Sequence, residues 1–555
     1  MATDQTPPAR PAAAGTTDPP RAGRKEWTGL YVLLLPLLLV SMDVSVLYFA
    51  VPFISRDLQP SSTQQLWIFD VYGFVLAGLL ITMGSLGDRI GRRLLLLMGA
   101  AAFSLASVAA AYSRTAGELI TARAVLGIAG ATLMPSTLAL IRNMFHDEKQ
   151  RRTAIAIWTA GTMSGIALGP VLSGVLLDHF WWGSVFLINV PFMLALLALA
   201  PVLVPEFRAP QRGRFDLIGS VLSLGAVLPV IYGIKEIAAD GPDAVRCLSI
   251  AVGVAVGAAF VVRQARARAP MIDLKLFRSR GFTGSVAMSL VAMFALVGFA
   301  IFTTQYLQSV LGMTPLTAAL WSLVPMAGTM IAAPATRLLV ERIDRAYVAA
   351  GGFATAAAGF AALTQLQAGS PLAFLLIAAG VYAGGVVAVM SVANELIMGA
   401  VPPGRAGAAA AVVETATEFG GAAGIAVLGS IGVAAYRTGL AAAAPAGTPP
   451  GALAAARDTL GGAVTVASQL PGRAGAGLLA AARVSFSHGL NEAALGAAAV
   501  MLLAAVVSAV FFRGVRPVCA AAARGEAQQG EPEPGKGQPA GTRPGEARPG
   551  GPLTA

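Results

Sequence analysis

LLVSMDVSVLYFAVP, residues 38–52, carries one carboxylate, Asp43, in an otherwise apolar run. From Trp27 to Ser55 the run is 29 residues long, and Asp43 is its only charged side chain. At about 1.5 Å per residue it can cross the roughly 30 Å hydrocarbon core of a bilayer as a helix. A charged Asp near the centre of a membrane helix costs about 2.5–3.5 kcal/mol. Asp43 lies too far from either end of the run to reach water along its own helix. Such a residue faces a bundle interior or a wet cavity, where it marks a functional path or, as the alternative, forms a structural pair.

The rest of the chain has the same character. Of 555 residues, 56% are hydrophobic and 12% charged, against about 25% charged in soluble domains. Fourteen apolar runs recur, near 29–54, 66–86, 94–113, 118–141, 154–177, 184–204, 216–234, 246–262, 282–306, 317–336, 347–366, 371–398, 407–434 and 487–512. The fold class is therefore an all-α polytopic membrane protein. Residues 1–27 and 514–555 read as low-complexity cytoplasmic tails. The segment 437–485 reads as an outer loop holding two short helices.

The net charge of +11 is placed by topology, not for nucleic acid. Arg89, Arg92 and Arg93 follow the second run, Lys149, Arg151 and Arg152 the fourth, and Arg208, Arg212 and Arg214 the sixth. Assigned this way, 30 of the 39 basic residues lie inside, eight outside, and Arg123 within a span. That bias puts both termini in the cytoplasm of a cell-membrane protein. The two cysteines and three histidines form no metal-ligand pattern. No GxxxxGK[ST] phosphate loop occurs, so ATP is not the expected driver and no cofactor is expected.

An internal repeat subdivides the chain. GSLGDRIGRR, after the second run, aligns with RLLVERIDRA, after the tenth. Gly84, Asp88, Arg89, Gly91 and Arg92 fall opposite Arg337, Glu341, Arg342, Asp344 and Arg345. The same offset of eight runs relates GIALGPVLSG to GGAAGIAVLG. Two six-helix halves, 28–205 and 269–513, with a two-helix insert at 206–268, give 6 + 2 + 6. Internal repeats with a midplane site between them characterise secondary transporters.

These stretches closely resemble the major facilitator superfamily, in particular its fourteen-helix drug:proton antiporter branch and the quaternary-ammonium exporters. GSLGDRIGRR matches the superfamily's gating loop through Gly84, Asp88, Arg89, Gly91 and Arg92. RAVLGIAGATLMP resembles the motif around a membrane arginine, here Arg123. GIALGPVLSG resembles the antiporter motif, carried by Gly165, Gly169, Pro170 and Gly174. The opening stretch and TQQLWIFDVYGFVLAG match around Asp43 and Asp70. The resemblance implies a proton-driven exporter of lipophilic, cationic drugs that is not an enzyme. Its partners would be drugs, protons and the bilayer, with no nucleic acid, and it would work as a monomer. Export of one host-made natural product is the alternative.

Within this frame, the proton and cation candidates are Asp43, Asp70, Arg123, Glu414 and Glu418. Asp70 sits near the outer end of its run, where it could also reach the interface. Glu414 and Glu418 in VVETATEFGG are four apart, on one helical face. Two close carboxylates in low dielectric resist ionising together, which suits a proton carrier. Arg123 either balances a carboxylate such as Asp43 or braces the fold. Gly165 and Gly169 offer a ridge for close helix approach, and Pro170 can bend the helix. Asp88 would bond a neighbouring helix N-terminus, with Arg89 and Arg92 completing a cytoplasmic lock. Trp67, Phe69, Tyr72 and Met42 could contact flat cations, although packing is the commoner use of such side chains.

Overall fold

The computed structural model describes residues 21–208, 216–267, 274, 276–400, 406–446 and 448–513. The expected tails at 1–20 and 514–555 lie outside them. Among the described residues the chain is helical, without strands, and fourteen helical segments are long and apolar enough to cross a membrane.

In chain order the helices are α1 Arg24–Leu58, α2 Ser62–Ile90, α3 Arg92–Ala111, α4 Ala116–Met144, α5 Glu148–His179, α6 Ser184–Leu187, α7 Asn189–Leu203, α8 Leu217–Asp240 and α9 Ala244–Arg266. There follow α10 Arg280–Gln305, α11 Pro315–Ser322, α12 Met326–Arg342, α13 Arg345–Leu363, α14 Leu372–Ala400, α15 Ala406–Ala443, α16 Pro450–Asp458, α17 Leu460–Gln469 and α18 Gly472–Phe511. Two spans are interrupted: α6 and α7 form the sixth, and α11 and α12 the tenth. Boundaries are set by local chemistry. Ser61 and Gln64 form a reciprocal cap on α2, Thr115 caps α4 and Asp147 caps α5. The first helix starts at Arg24, inside the stretch expected as tail, because Glu26 accepts the Gly23 amide and Gln150 holds Ala22 at 2.8 Å.

The packing repeats with an offset of eight spans. α1 lies on α5 as α10 lies on α15; α2 lies on α4 as α12 lies on α14. The pairs α3·α4 and α3·α7 recur as α13·α14 and α13·α18. The two sets meet where α2 packs on α15, α1 on α10 and α5 on α11. The remaining spans, α8 and α9, pair with each other. α9 is the least buried span, whereas α8 lies against both α2 and α15.

The outer segment differs from expectation. α15 runs on to Ala443 and α18 begins at Gly472, so 437–485 is mostly helix extending from the bundle. At 40 residues α18 is about 60 Å long, twice the hydrocarbon thickness. Pro445, Pro449 and Pro471 flank the two short helices that do form, α16 and α17. α17 packs on α1 and α18, and the Tyr436 hydroxyl on α15 donates to the Ala456 carbonyl on α16 at 2.7 Å. The hairpin thus ties α1, α15 and α18 together at one end of the bundle.

Candidate functional site

Asp43, midway along α1, is buried and ion-paired to Arg123 of α4. The guanidinium is fully buried, donates to the carbonyls of Ile68 at 3.0 Å and Phe69 at 3.4 Å, and lies 4.7 Å from the Tyr72 ring centre. One arginine therefore joins α1, α2 and α4. Sequence left Arg123 either as a counter-ion or as a brace; the geometry makes it both.

Asp70 does not reach solvent. α2 begins at Ser62, four residues before the expected span, and Asp70 lies buried within it. Its carboxylate is fully buried and meets the Lys235 ammonium of α8 at 2.7 Å. That ammonium also lies 3.8 Å from the centre of the Trp67 ring. Lys235 corrects the charge assignment above, which put it outside and left Arg123 as the sole cation in a span. The seventh helix runs to Asp240 instead of ending at 234, so Lys235 falls within it. The signal was present in VIYGIKEIAAD, where a helix-forming KE pair follows the apolar run without a breaker until Gly241.

Glu414 and Glu418 stand on α15, half-buried, with no hydrogen bond or ion pair among the described residues. Phe419 beside them meets Phe74 of α2 edge-on at 5.9 Å. The rings of Tyr48 and Tyr72 lie within electrostatic range of both Arg123 and Glu418. α2, which carries Tyr72, packs on α1, α4 and α15, so Asp43, Arg123 and Glu418 border one region around it. The Tyr72 hydroxyl is buried there without a hydrogen bond. Phe69 stacks on Tyr48 at 5.5 Å, and Met42 is buried. Among the described residues no cluster of metal-ligating side chains occurs.

The loop expected to act as a gate is built differently from expectation. Asp88 pairs with Arg92, one turn on, at 2.7 Å, and does not cap a helix. The cap on α3 is Glu206, absent from the candidates, whose carboxylate accepts the amides of Arg93 at 3.0 Å and Leu94 at 3.2 Å. Gly91 has φ +117°, and a Cβ there would lie 2.6 Å from Glu206 Oε1, so only glycine fits. In the repeat, Asp344 stands in place of Gly91 and caps α13 itself, accepting the Ala346 amide at 2.9 Å. The same need for a helix cap is met by a distant carboxylate in one half and a local one in the other. Arg92 reaches toward the Pro135 carbonyl, Gly84 faces the Pro135 ring, and the exposed Arg89 makes no hydrogen bond or ion pair among the described residues.

In the antiporter motif, Gly165 and Gly169 face α1: a Cβ on Gly165 would lie 2.6 Å from the Leu38 carbonyl, and one on Gly169 would strike Ser45. Gly174 faces the opposite way, and a Cβ there would lie 2.6 Å from Leu316 Cα on α11. Pro170 lies within α5. The motif therefore seats α5 on α1 with one end and on α11, in the other set of spans, with the other.

The family model described as Major Facilitator Superfamily matches residues 33–425. The chain belongs to the Major Facilitator Superfamily. It is a multi-pass membrane transporter and not an enzyme. It is 44% identical over 499 residues to the multidrug efflux pump LfrA of Mycolicibacterium smegmatis, covering 90% of this chain and 99% of the relative. It is 36% identical to the methyl viologen resistance protein SmvA of Salmonella typhimurium, covering 87% and 97%. The tetracenomycin C resistance and export protein of Streptomyces glaucescens is 32% identical, covering 91% and 95%. Among solved structures, a bacterial homologue of the human lysosomal transporter Spinster, inward-facing and unoccupied, superposes with a TM-score of 0.61 at 17% identity, covering 89% and 99%.

Proposed function

We propose that this transporter is a proton-driven multidrug exporter, taking lipophilic cations out of the cell by alternating access. The observation that carries the reading is the shared region of Asp43, Arg123 and Glu418, with Glu414 one turn away. Carboxylates at membrane depth, two of them without a described partner, are suited to exchanging a proton for a cation. The relatives' names support the substrate class: a multidrug efflux pump and a methyl viologen resistance protein, methyl viologen being a dication.

Energetics favour protons as the coupling ion. Expelling one positive charge against 100 mV costs about 2.3 kcal/mol, which one entering proton cancels. A dication needs at least two, and Asp43, Glu414 and Glu418 are enough to carry them. In this scheme protons and drug compete for these carboxylates, and Arg123 holds Asp43 when neither is bound. Asp70 contributes a second acidic site, the loop at Gly84–Arg92 a cytoplasmic gate, and Gly165, Gly169, Pro170 and Gly174 the seam that opens and closes. The repeated packing supports a 6 + 2 + 6 division; the working unit in this reading is the monomer. The basic loops support cytoplasmic termini in the bacterial cell membrane.

Everted vesicles provide the test: a panel of cationic and neutral drugs is added to vesicles holding a proton gradient. Discharge by cations supports the reading. The second reading, a dedicated exporter of a host-made antibiotic, is favoured by the Streptomyces resistance proteins at 32% identity. It expects discharge by one neutral compound and none by the cations.

A further inference from the structure

The Asp70–Lys235 pair has the composition of a cation site that is already filled. An ammonium between a carboxylate and the face of a tryptophan is the arrangement that binds organic ammonium ions. Lys235 Nζ lies 2.7 Å from both Asp70 oxygens and 3.8 Å from the Trp67 ring centre, with both charged side chains fully buried.

Stability is a poor reason for such a pair. Burying two charges costs several kcal/mol each, and apolar residues of similar volume are often as stable or more so. The lysine also comes from α8, outside the repeated packing, on the helix that touches α2 and α15 where the two sets of spans meet. Relative movement of α2 and α15 would change the reach from α8 to Asp70.

We propose that Asp70 and Trp67 form an organic-cation site that Lys235 occupies with its own ammonium in this conformer, and that a transported cation displaces it. Lys235 is then a tethered competitor. It keeps Asp70 neutralised when no drug is present and lowers apparent affinity by the fraction of time the site is filled. The inference rests on the cation-export reading above.

Binding of n-pentyltrimethylammonium, whose chain and charge mimic a lysine side chain, tests it on the full chain in nanodiscs. Lys235→Ala is expected to bind at least about tenfold more tightly than the parent protein. Adding Asp70→Asn or Trp67→Leu is expected to remove that gain. An unchanged or weaker affinity in Lys235→Ala overturns the proposal, as does a gain that survives both second substitutions. Should Lys235→Ala not fold, Lys235→Gln carries the same expectation of a gain, and the same refutation by its absence. Failure of the export reading is distinct: the parent protein would then move no cation against its gradient, whatever Lys235→Ala binds.

Discussion

Arg123 reaches from α4 to Asp43 on α1 while bonding two carbonyls of α2, so the pair's charge and the packing of three helices depend on one guanidinium. Neutralising Asp43 leaves that cation buried and partly unpaired, and breaking a buried pair from one side costs about 3–5 kcal/mol. Asp43→Asn is expected to lower thermal stability and abolish cation export. Asp43→Asn with Arg123→Gln is expected to recover much of the stability but none of the export. Melting curves and vesicle transport on the two variants separate the roles; export by the double variant would remove Asp43 from the mechanism.

Glu414 and Glu418 are expected to release protons when a cation binds. Adding methyl viologen to the purified protein in weak buffer should acidify the solution. Glu414→Gln with Glu418→Gln should reduce the release to the share carried by Asp43. Equal proton release from this variant and the parent would show that the α15 acids do not exchange protons for cation.

The approach of α5 to α11 at Gly174 is expected to set the outer seal. In Gly174→Leu the new side chain has no room, since even a Cβ lies 2.6 Å from Leu316 Cα. Spin labels at the exposed Asp178 and Thr317 should therefore report a population with longer distances than in the parent background, and export should fall at least about tenfold. An unchanged distance distribution would mean that the seam does not need the glycine.

Asp216, which caps α8 just ahead of its membrane-spanning segment, offers a pH test. The Arg263 bond, together with the Gly219 amide and the Gln264 side chain, holds its carboxyl below the usual carboxylate range. A lowered folded value means that the contribution is fully present above the unfolded value near 3.9 and is lost as pH falls through the folded one. Amide exchange at Gly219 and Ser220 should be flat between pH 7 and 5 beyond its chemical rate, then accelerate in stronger acid. Asp216→Ala should lose about 1 kcal/mol of protection at neutral pH.

How much of this was readable in sequence depends on how local the cause is. Span number follows from apolar length alone, which is why the fourteen runs have fourteen helical counterparts. Arg123 with Asp43 was legible as a possibility, because an embedded cation needs a counter-charge. Lys235 was missed because a helix end was placed at the end of the hydrophobic run. Helices continue until a backbone signal stops them, here Gly241 with φ +86°. Glu206 was missed for another reason. A cap that arrives from 113 residues away leaves no local pattern, and only the unusual backbone at Gly91 hints that something sits against it.

In the proposed cycle, protons entering through buried carboxylates drive cations out. Proteoliposomes holding only this protein, with an imposed pH difference and no membrane potential, put that coupling to the test. Methyl viologen should move uphill, away from the side that the protons reach, with the movement collapsing on addition of an ionophore and absent in Asp43→Asn. Uphill movement that persists after the pH difference is removed, or that is unchanged in Asp43→Asn, would contradict it.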